Sequence, residues 1–216
     1  MTPSLLLTAV SMAYSVGLAP APDQAVTYLD LKPKFNQKLK ETFHGGAFKE
    51  NNLADVPSGK QKFGEVTFNI EEGLIQVNGN GASNPINDMP AKVEGIKVDQ
   101  AFGKLHILHA TGYVAEEGVV IGSYVIHYAD ETIEKIEIVY GQDVCDWWYG
   151  DGDKEPSKGK LAWKGENPAS KSVNKKIRLY MMTWKNPKPD KKVATIDFIA
   201  EDKTPCAPFC LAMTVE

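Results

Sequence analysis

Two adjacent indoles and a phenol, Trp147-Trp148-Tyr149, follow closely on Asp143 and Asp146 and precede the acidic turn Asp151-Gly152-Asp153. A flat aromatic ring offers a surface on which the C–H face of a sugar packs, and neighbouring carboxylates accept hydrogen bonds from its hydroxyls. The segment therefore has the composition of a ligand-contacting loop. Because neighbours on an extended chain face opposite ways, at least one of the two tryptophans is expected to serve the core instead.

Other chemistry is weakly represented. Catalysis needs a nucleophile with a base in reach, or two carboxyl groups with well-separated pKa values. The chain carries no GxSxG, HExxH or glycine-rich phosphate loop. Asp143 and Asp146 are a conceivable glycosidase pair, but paired acids are equally at home in solvated loops. No catalytic residue is assigned, and the chain is read as a non-enzyme.

The histidines are His44, His106, His109 and His127. His106 and His109 are three apart and so point to opposite faces of a strand, which separates them as metal ligands. His127 sits between Ile126 and Tyr128, as a core or interfacial histidine with satisfied N–H groups would. Three cysteines, Cys145, Cys206 and Cys210, cannot all pair within one chain, although a Cys145 bridge to either of the others is open. Cys206 and Cys210 lie roughly 13 Å apart on an extended strand and can bond each other only across a bend. No thiol has a recognisable catalytic setting.

These residues must be positioned by strands. Runs rich in Val, Ile, Tyr, Phe and Thr, bounded by Gly, Pro, Asn and Asp, predict strands near 63–70, 73–78, 104–111, 119–129, 133–140, 160–164, 176–184, 193–200 and 207–215. The clearest alternation is at 134–140, where Ile136, Ile138 and Tyr140 share one face and Lys135 and Glu137 the other, the pattern of a half-buried antiparallel strand. At the C-terminus, Phe209, Leu211, Met213 and Val215 alternate with Cys210, Ala212 and Thr214, and this strand is expected to complete the core. Turn residues at 129–132 and 186–190 predict two hairpins. Residues 34–43 suggest one helical turn or two, and 78–92 a long irregular loop.

No alternation of helices with strands is present, so the expected fold is an all-β antiparallel sandwich or jelly roll. If every run from Lys104 onward crosses the sandwich once, the connections 112–118, 142–158 and 185–192 share one end. Tyr113, Trp147, Trp148 and Trp184 would then gather on one rim, where binding loops of sandwiches cluster.

With 216 residues, 43% hydrophobic and 24% charged, the chain can bury one large core. A net charge of −4 and a single arginine, Arg178, argue against nucleic acid as a partner, since phosphate recognition uses clustered cations. Residues 1–24 form an apolar leader: Leu5-Leu6-Leu7-Thr8-Ala9-Val10 followed by small residues near Gly17-Leu18-Ala19 resembles a signal peptide, without the usual preceding positive charge. The run is short and interrupted for a membrane span. Residues 25–216 are read as the domain proper, with no membrane-spanning segment.

Several segments together carry a family resemblance: Asn51-Asn52-Leu53-Ala54-Asp55-Val56-Pro57, Leu105-His106-Ile107-Leu108-His109-Ala110-Thr111 and Ile126-His127-Tyr128-Ala129-Asp130. The series continues with Val139-Tyr140-Gly141-Gln142-Asp143-Val144-Cys145-Asp146-Trp147-Trp148, then Thr183-Trp184-Lys185-Asn186-Pro187, then Ala207-Pro208-Phe209. The ordered set, over about residues 27–216, resembles galactose-binding-like jelly-roll domains, close to the carbohydrate-binding module type called NPCBM of bacterial exported proteins. The resemblance implies a secreted or periplasmic (envelope) module that recognises carbohydrate or another envelope polymer. It also admits a structural calcium, for which Asp151-Gly152-Asp153 offers a fragment of a binding loop without the full EF-hand spacing. Ligand contact is expected from Trp147, Trp148, Asp143, Asp146, Trp184 and Tyr113. The rival reading is a protein-interaction or structural domain that pairs with an envelope protein, and a hydrolase is the third.

Overall fold

Along 133–139 the alternation seen in the sequence becomes burial: Ile136 and Ile138 are buried while Lys135 and Glu137 are exposed on the opposite face. The computed structural model describes residues 25–42, 48–78, 89–202 and 204–216. The leader and His44 lie outside the described residues.

The chain opens with β1 (Thr27–Tyr28), a 3₁₀ turn (Lys32–Lys34), β2 (Gln37–Lys38), β3 (Gly59–Phe63), β4 (Val66–Ile70) and β5 (Gly73–Gln76). There follow β6 (Lys92–Gln100), β7 (Lys104–Gly112), β8 (Val120–Tyr128), β9 (Ile133–Val139) and β10 (Trp148–Tyr149). The last elements are β11 (Lys160–Gly165), the short helix α1 (Pro168–Ser172), β12 (Lys176–Lys185), β13 (Val193–Ala200) and β14 (Ala207–Val215). The expected helical turns at 34–43 are not formed over the described part, which holds the end of the 3₁₀ turn and then β2.

Two antiparallel sheets make the sandwich. The large one runs β10-β12-β7-β14-β5-β2, with β1 added on β14 and β11 on β12; the small one runs β6-β13-β8-β9. Strands β7 and β14 are central, and from Leu105 to Gly112 and Ala207 to Val215 every residue is buried. Such unbroken burial requires cover on both faces. The inner face meets the small sheet, where Tyr124 stacks on Phe198 at 4.7 Å and reaches His109 on β7. The outer face is covered by the β3–β4 hairpin, whose Thr67 carbonyl accepts a hydrogen bond from Thr214 at 2.9 Å.

Four expectations change. The run 63–70 is not one strand but the second half of this hairpin, broken at Gly64 with φ +61. The stretch 92–100, not expected as a strand, is the edge strand β6; its charged alternation is put out of phase by bulges against β13 and by Gly95 at φ +72. Strand β14 does complete the core, but a register shift between Cys210 and Ala212 moves Leu211 out of step. Phe209 therefore shares a face with Ala110, whereas Met213 and Val215 share the opposite face with Ile107 and Leu105. Residues 186–190 are not a hairpin turn, because β12 and β13 belong to different sheets. The expected hairpin at 129–132 is present, with Asp130 accepting from the Thr132 N–H and hydroxyl and Glu131 at φ +67.

The register also fixes the two ends of the sandwich. Gly112 lies opposite Ala207 at one end, and Lys104 opposite Lys185 at the other. Loop 113–119 joins the first end, and backbone bonds between Tyr140 and both Gly118 and Val119 bring the exit of β9 to the same place. No helix among the described residues is long and apolar enough to cross a membrane.

Candidate functional site

Strands β7 and β12 pair from Lys104–Lys185 up to His109–Tyr180 and then separate. The segment 146–149 enters the gap as a wedge. Trp147 N–H donates to the Thr111 carbonyl at 2.9 Å, and the Trp147 carbonyl accepts from Arg178 N–H at 2.8 Å, so the wedge closes the hydrogen bonds that the two strands leave open. Strand β10 is the continuation of this wedge, with Trp148 opposite Ile177 and Tyr149 opposite Lys176.

The two tryptophans divide as their adjacency predicts. Trp147 is 2% exposed and packs edge-on against Phe209, with ring centroids 5.8 Å apart, so it belongs to the core. Trp148 is half-buried at the rim. Its indole N–H donates to the Asn51 side-chain oxygen at 3.0 Å, and Phe48 meets the ring edge-on at 5.1 Å. Asn51 is in turn held by Asn167, which also accepts from Ser170 N–H as the N-cap of α1.

Asp146 and Trp148 border two cavities. The first, of about 170 Å³, is aromatic and is lined further by Phe48, Asn51, Gly112, Tyr113 and Trp147. The second, of about 230 Å³, is charged: Glu117, Asp153, Lys154, Glu155, Lys175 and Arg178 line it with Tyr140 and Cys145. Burial pushes the Asp146 carboxyl up to about 6, opposed by the Trp148 N–H it accepts at 3.2 Å and by the charges of Lys175 and Arg178. At pH 7 this group is mostly a carboxylate that accepts hydrogen bonds, and about a unit lower it is half protonated.

Arg178 forms the floor of the charged cavity. It is 2% exposed, its guanidinium lies over the rings of Tyr149 and Tyr180 at 4.9 and 5.3 Å, and its Nε donates to the Asp146 carbonyl at 3.2 Å. Nη1 is buried with no hydrogen-bond partner among the described residues, the nearest acid being Glu155 at 3.8 Å.

Of the residues expected at the site, Tyr113, Asp146, Trp147 and Trp148 are brought together. Trp184 is not. It lies opposite Leu105 at the far end of the sandwich, with its ring edge-on to Phe102 at 6.4 Å. The physical reason is the path between β9 and β11. The chain descends from the site end to mid-sheet as irregular backbone, with Ser157 N–H on the Gly141 carbonyl and Lys158 N–H on that of Gln142. Strand β11 then climbs from opposite Met181 back to opposite Ile177. This uncounted descent reverses the alternation of ends, so the loop containing α1 joins the site and 186–192 leaves it.

Asp143 also departs. Its carboxylate accepts the Val139 N–H at 2.8 Å, capping the turn after β9, and it borders a third cavity of about 350 Å³ shared with Trp184. Gly159 passes so close that an added Cβ would meet the Asp143 carbonyl oxygen at 1.9 Å. Asp143 and Asp146 therefore line separate cavities and do not form the facing pair that glycoside hydrolysis uses.

At 151–153, Asp153 accepts Gly150 N–H at 2.7 Å and pairs with Lys175 at 3.6 Å, which holds its carboxyl below the usual range. Among the described residues no group of three or more His, Cys, Asp or Glu side chains is placed to hold a metal. His106 bonds Thr183, His109 is held down to about 3 by complete burial beside Tyr124, and His127 pairs with Asp197 at 2.7 Å. All three cysteines are free and buried, so no Cys145 bridge forms.

Phe48, Asn51 and Arg178 were not singled out as site residues by their sequence setting. Phe48 and Asn51 lie about a hundred positions from Trp148 and carry no local signal. Arg178 did carry one: a charge inside the apolar run Ile177 to Met182 is either buried against partners or marks a site. No family model matches the chain, and no curated protein matches it.

Proposed function

We propose that this chain is a non-catalytic binding module of an exported or envelope protein, and that it recognises carbohydrate in the cleft around Asp146 and Trp148. The observation that carries this reading is the half-buried Trp148 ring, oriented by Asn51 and flanked by Phe48, with Asp146 and Tyr113 beside it. A pre-oriented ring next to hydrogen-bonding groups suits a sugar, whose C–H face is apolar and whose edge is polar. Fixing the ring in advance also lowers the entropy lost on binding. The resemblance to galactose-binding-like, NPCBM-type jelly rolls supports the same ligand class and an extracytoplasmic location.

The test is a glycan array followed by isotherms with the hits, in parallel with incubation on polysaccharides and assay of reducing ends. Saturable glycan binding without new reducing ends is expected. Specific capture of an envelope protein with no glycan bound would favour an interaction domain instead, and release of reducing ends a hydrolase.

A further inference from the structure

Resting on the carbohydrate reading, we propose that the Arg178 guanidinium receives an oxyanion of the bound glycan, so that the module selects acidic sugars, bearing a carboxylate or a sulfate, over neutral ones.

Arg178 is the only arginine in the chain. Part of its role is structural: Nε holds the Asp146 carbonyl, and the rings of Tyr149 and Tyr180 hold the guanidinium. That role leaves Nη1 unexplained. A buried cationic N–H without an acceptor is costly, and Glu155 at 3.8 Å is beyond hydrogen-bonding distance and is shared with Lys164 at 3.3 Å. Arg178 lines a cavity of about 230 Å³ that shares Asp146 and Trp148 as wall residues with the aromatic one. A sugar packed on Trp148 thus has an oxyanion receptor on one side.

The planar fork of arginine matches a carboxylate or sulfate edge, as a lysine ammonium does not. Lys175 and Lys154 stand at the rim, each paired with an acid, Asp153 and Glu117, so that neither of these acids faces the guest uncompensated. Below about pH 6 the protonated Asp146 carboxyl no longer repels an anionic guest.

A single arginine makes the experiment direct, because a ¹⁵N-labelled chain shows one arginine Nε–H resonance. Trigalacturonate, N-acetylglucosamine 6-sulfate, neutral tri-N-acetylglucosamine and inorganic sulfate are titrated in turn. At least one acidic sugar is expected to shift that resonance saturably and to bind about tenfold or more tighter than the neutral sugar. Arg178→Lys should erase the preference for acid. Because that residue is buried, Lys175→Gln at the exposed rim is the second variant, expected to weaken acidic sugars by a few fold and leave neutral ones unchanged. Neutral binding with an unmoved arginine resonance overturns the proposal while sparing the carbohydrate reading. A resonance that no acidic sugar moves overturns it as well, and one that inorganic sulfate moves as strongly as the acidic sugars overturns the selection of glycans in favour of a free-anion site.

Discussion

The indole N–H of Trp148 donates to the side-chain oxygen of Asn51 across 97 positions of sequence, at 3.0 Å. The same oxygen accepts from Asn167 at 3.3 Å, so one buried amide ties the N-terminal segment, the aromatic rim and the cap of α1 together. The orientation of the ring proposed to carry the ligand is thus set by residues remote from it in the chain.

Replacing Asn51 with Ala removes the acceptor of both donors. The expected loss is about 1–3 kcal/mol of stability, together with weaker ligand binding as the ring loses its fixed orientation. Asn51→Asp keeps the acceptor and should retain more of the affinity. Thermal melts and isotherms on the two variants check this, and equal affinities would show that the bond does not orient the ring.

Trp147 behaves as core. Trp147→Ala should cost about 3–5 kcal/mol, since the ring is buried against Phe209 and its removal leaves a cavity between strands that the wedge holds apart. Denaturant titration reads the loss, and a change under 1 kcal/mol would place this ring outside the core.

How far all this could be read from the sequence varies with the kind of information. The strands from Lys104 onward are visible because burial follows local pattern, as in β9, and the split between Trp147 and Trp148 follows from strand geometry alone. Strand β6 escapes because its bulges put Lys92, Glu94, Lys97 and Asp99 out of phase with Val93, Ile96 and Val98. The sequence pattern puts Trp184 on the wrong rim because the irregular descent through 150–159 has no strand signature. Simple alternation groups Phe209 with Met213, whereas the one-residue bulge between them inverts every following side chain. Each of these depends on non-local packing, as does the Asn51–Trp148 bond.

The Asp146 carboxyl makes stability depend on pH in a definite sense. Its pKa rises from 3.8 to about 6 on folding. Between those values the folded chain holds a proton that the unfolded chain has released, so stability from this group falls as pH climbs through the window. The loss is up to roughly 3 kcal/mol, less where solvent at the cleft screens the charge. Asp146→Asn removes that cost and keeps the acceptor for Trp148 N–H. The variant should match the parent below pH 4 and exceed it above pH 6; parallel stability profiles would refute the assignment.

The thiols should be inert in the native state. Burial pushes Cys206 and Cys210 up to about 12 and raises Cys145 as well, which suppresses the reactive thiolate. With Ellman's reagent at pH 8, negligible labelling is expected until denaturant is added, after which all three thiols should react. Rapid native labelling of Cys145, which borders the charged cavity, would run against this account.

The central claim is that ligand binds at the Asp146–Trp148 end of the sandwich, and paired tryptophan variants measure it. Using a glycan found on the array, isotherms and melts are recorded for the parent, Trp148→Ala and Trp184→Ala. The account predicts that Trp148→Ala weakens binding about tenfold or more while still melting cooperatively, and that Trp184→Ala, altered at the opposite end, binds as the parent does. Parental affinity in Trp148→Ala, or a loss confined to Trp184→Ala, would contradict it.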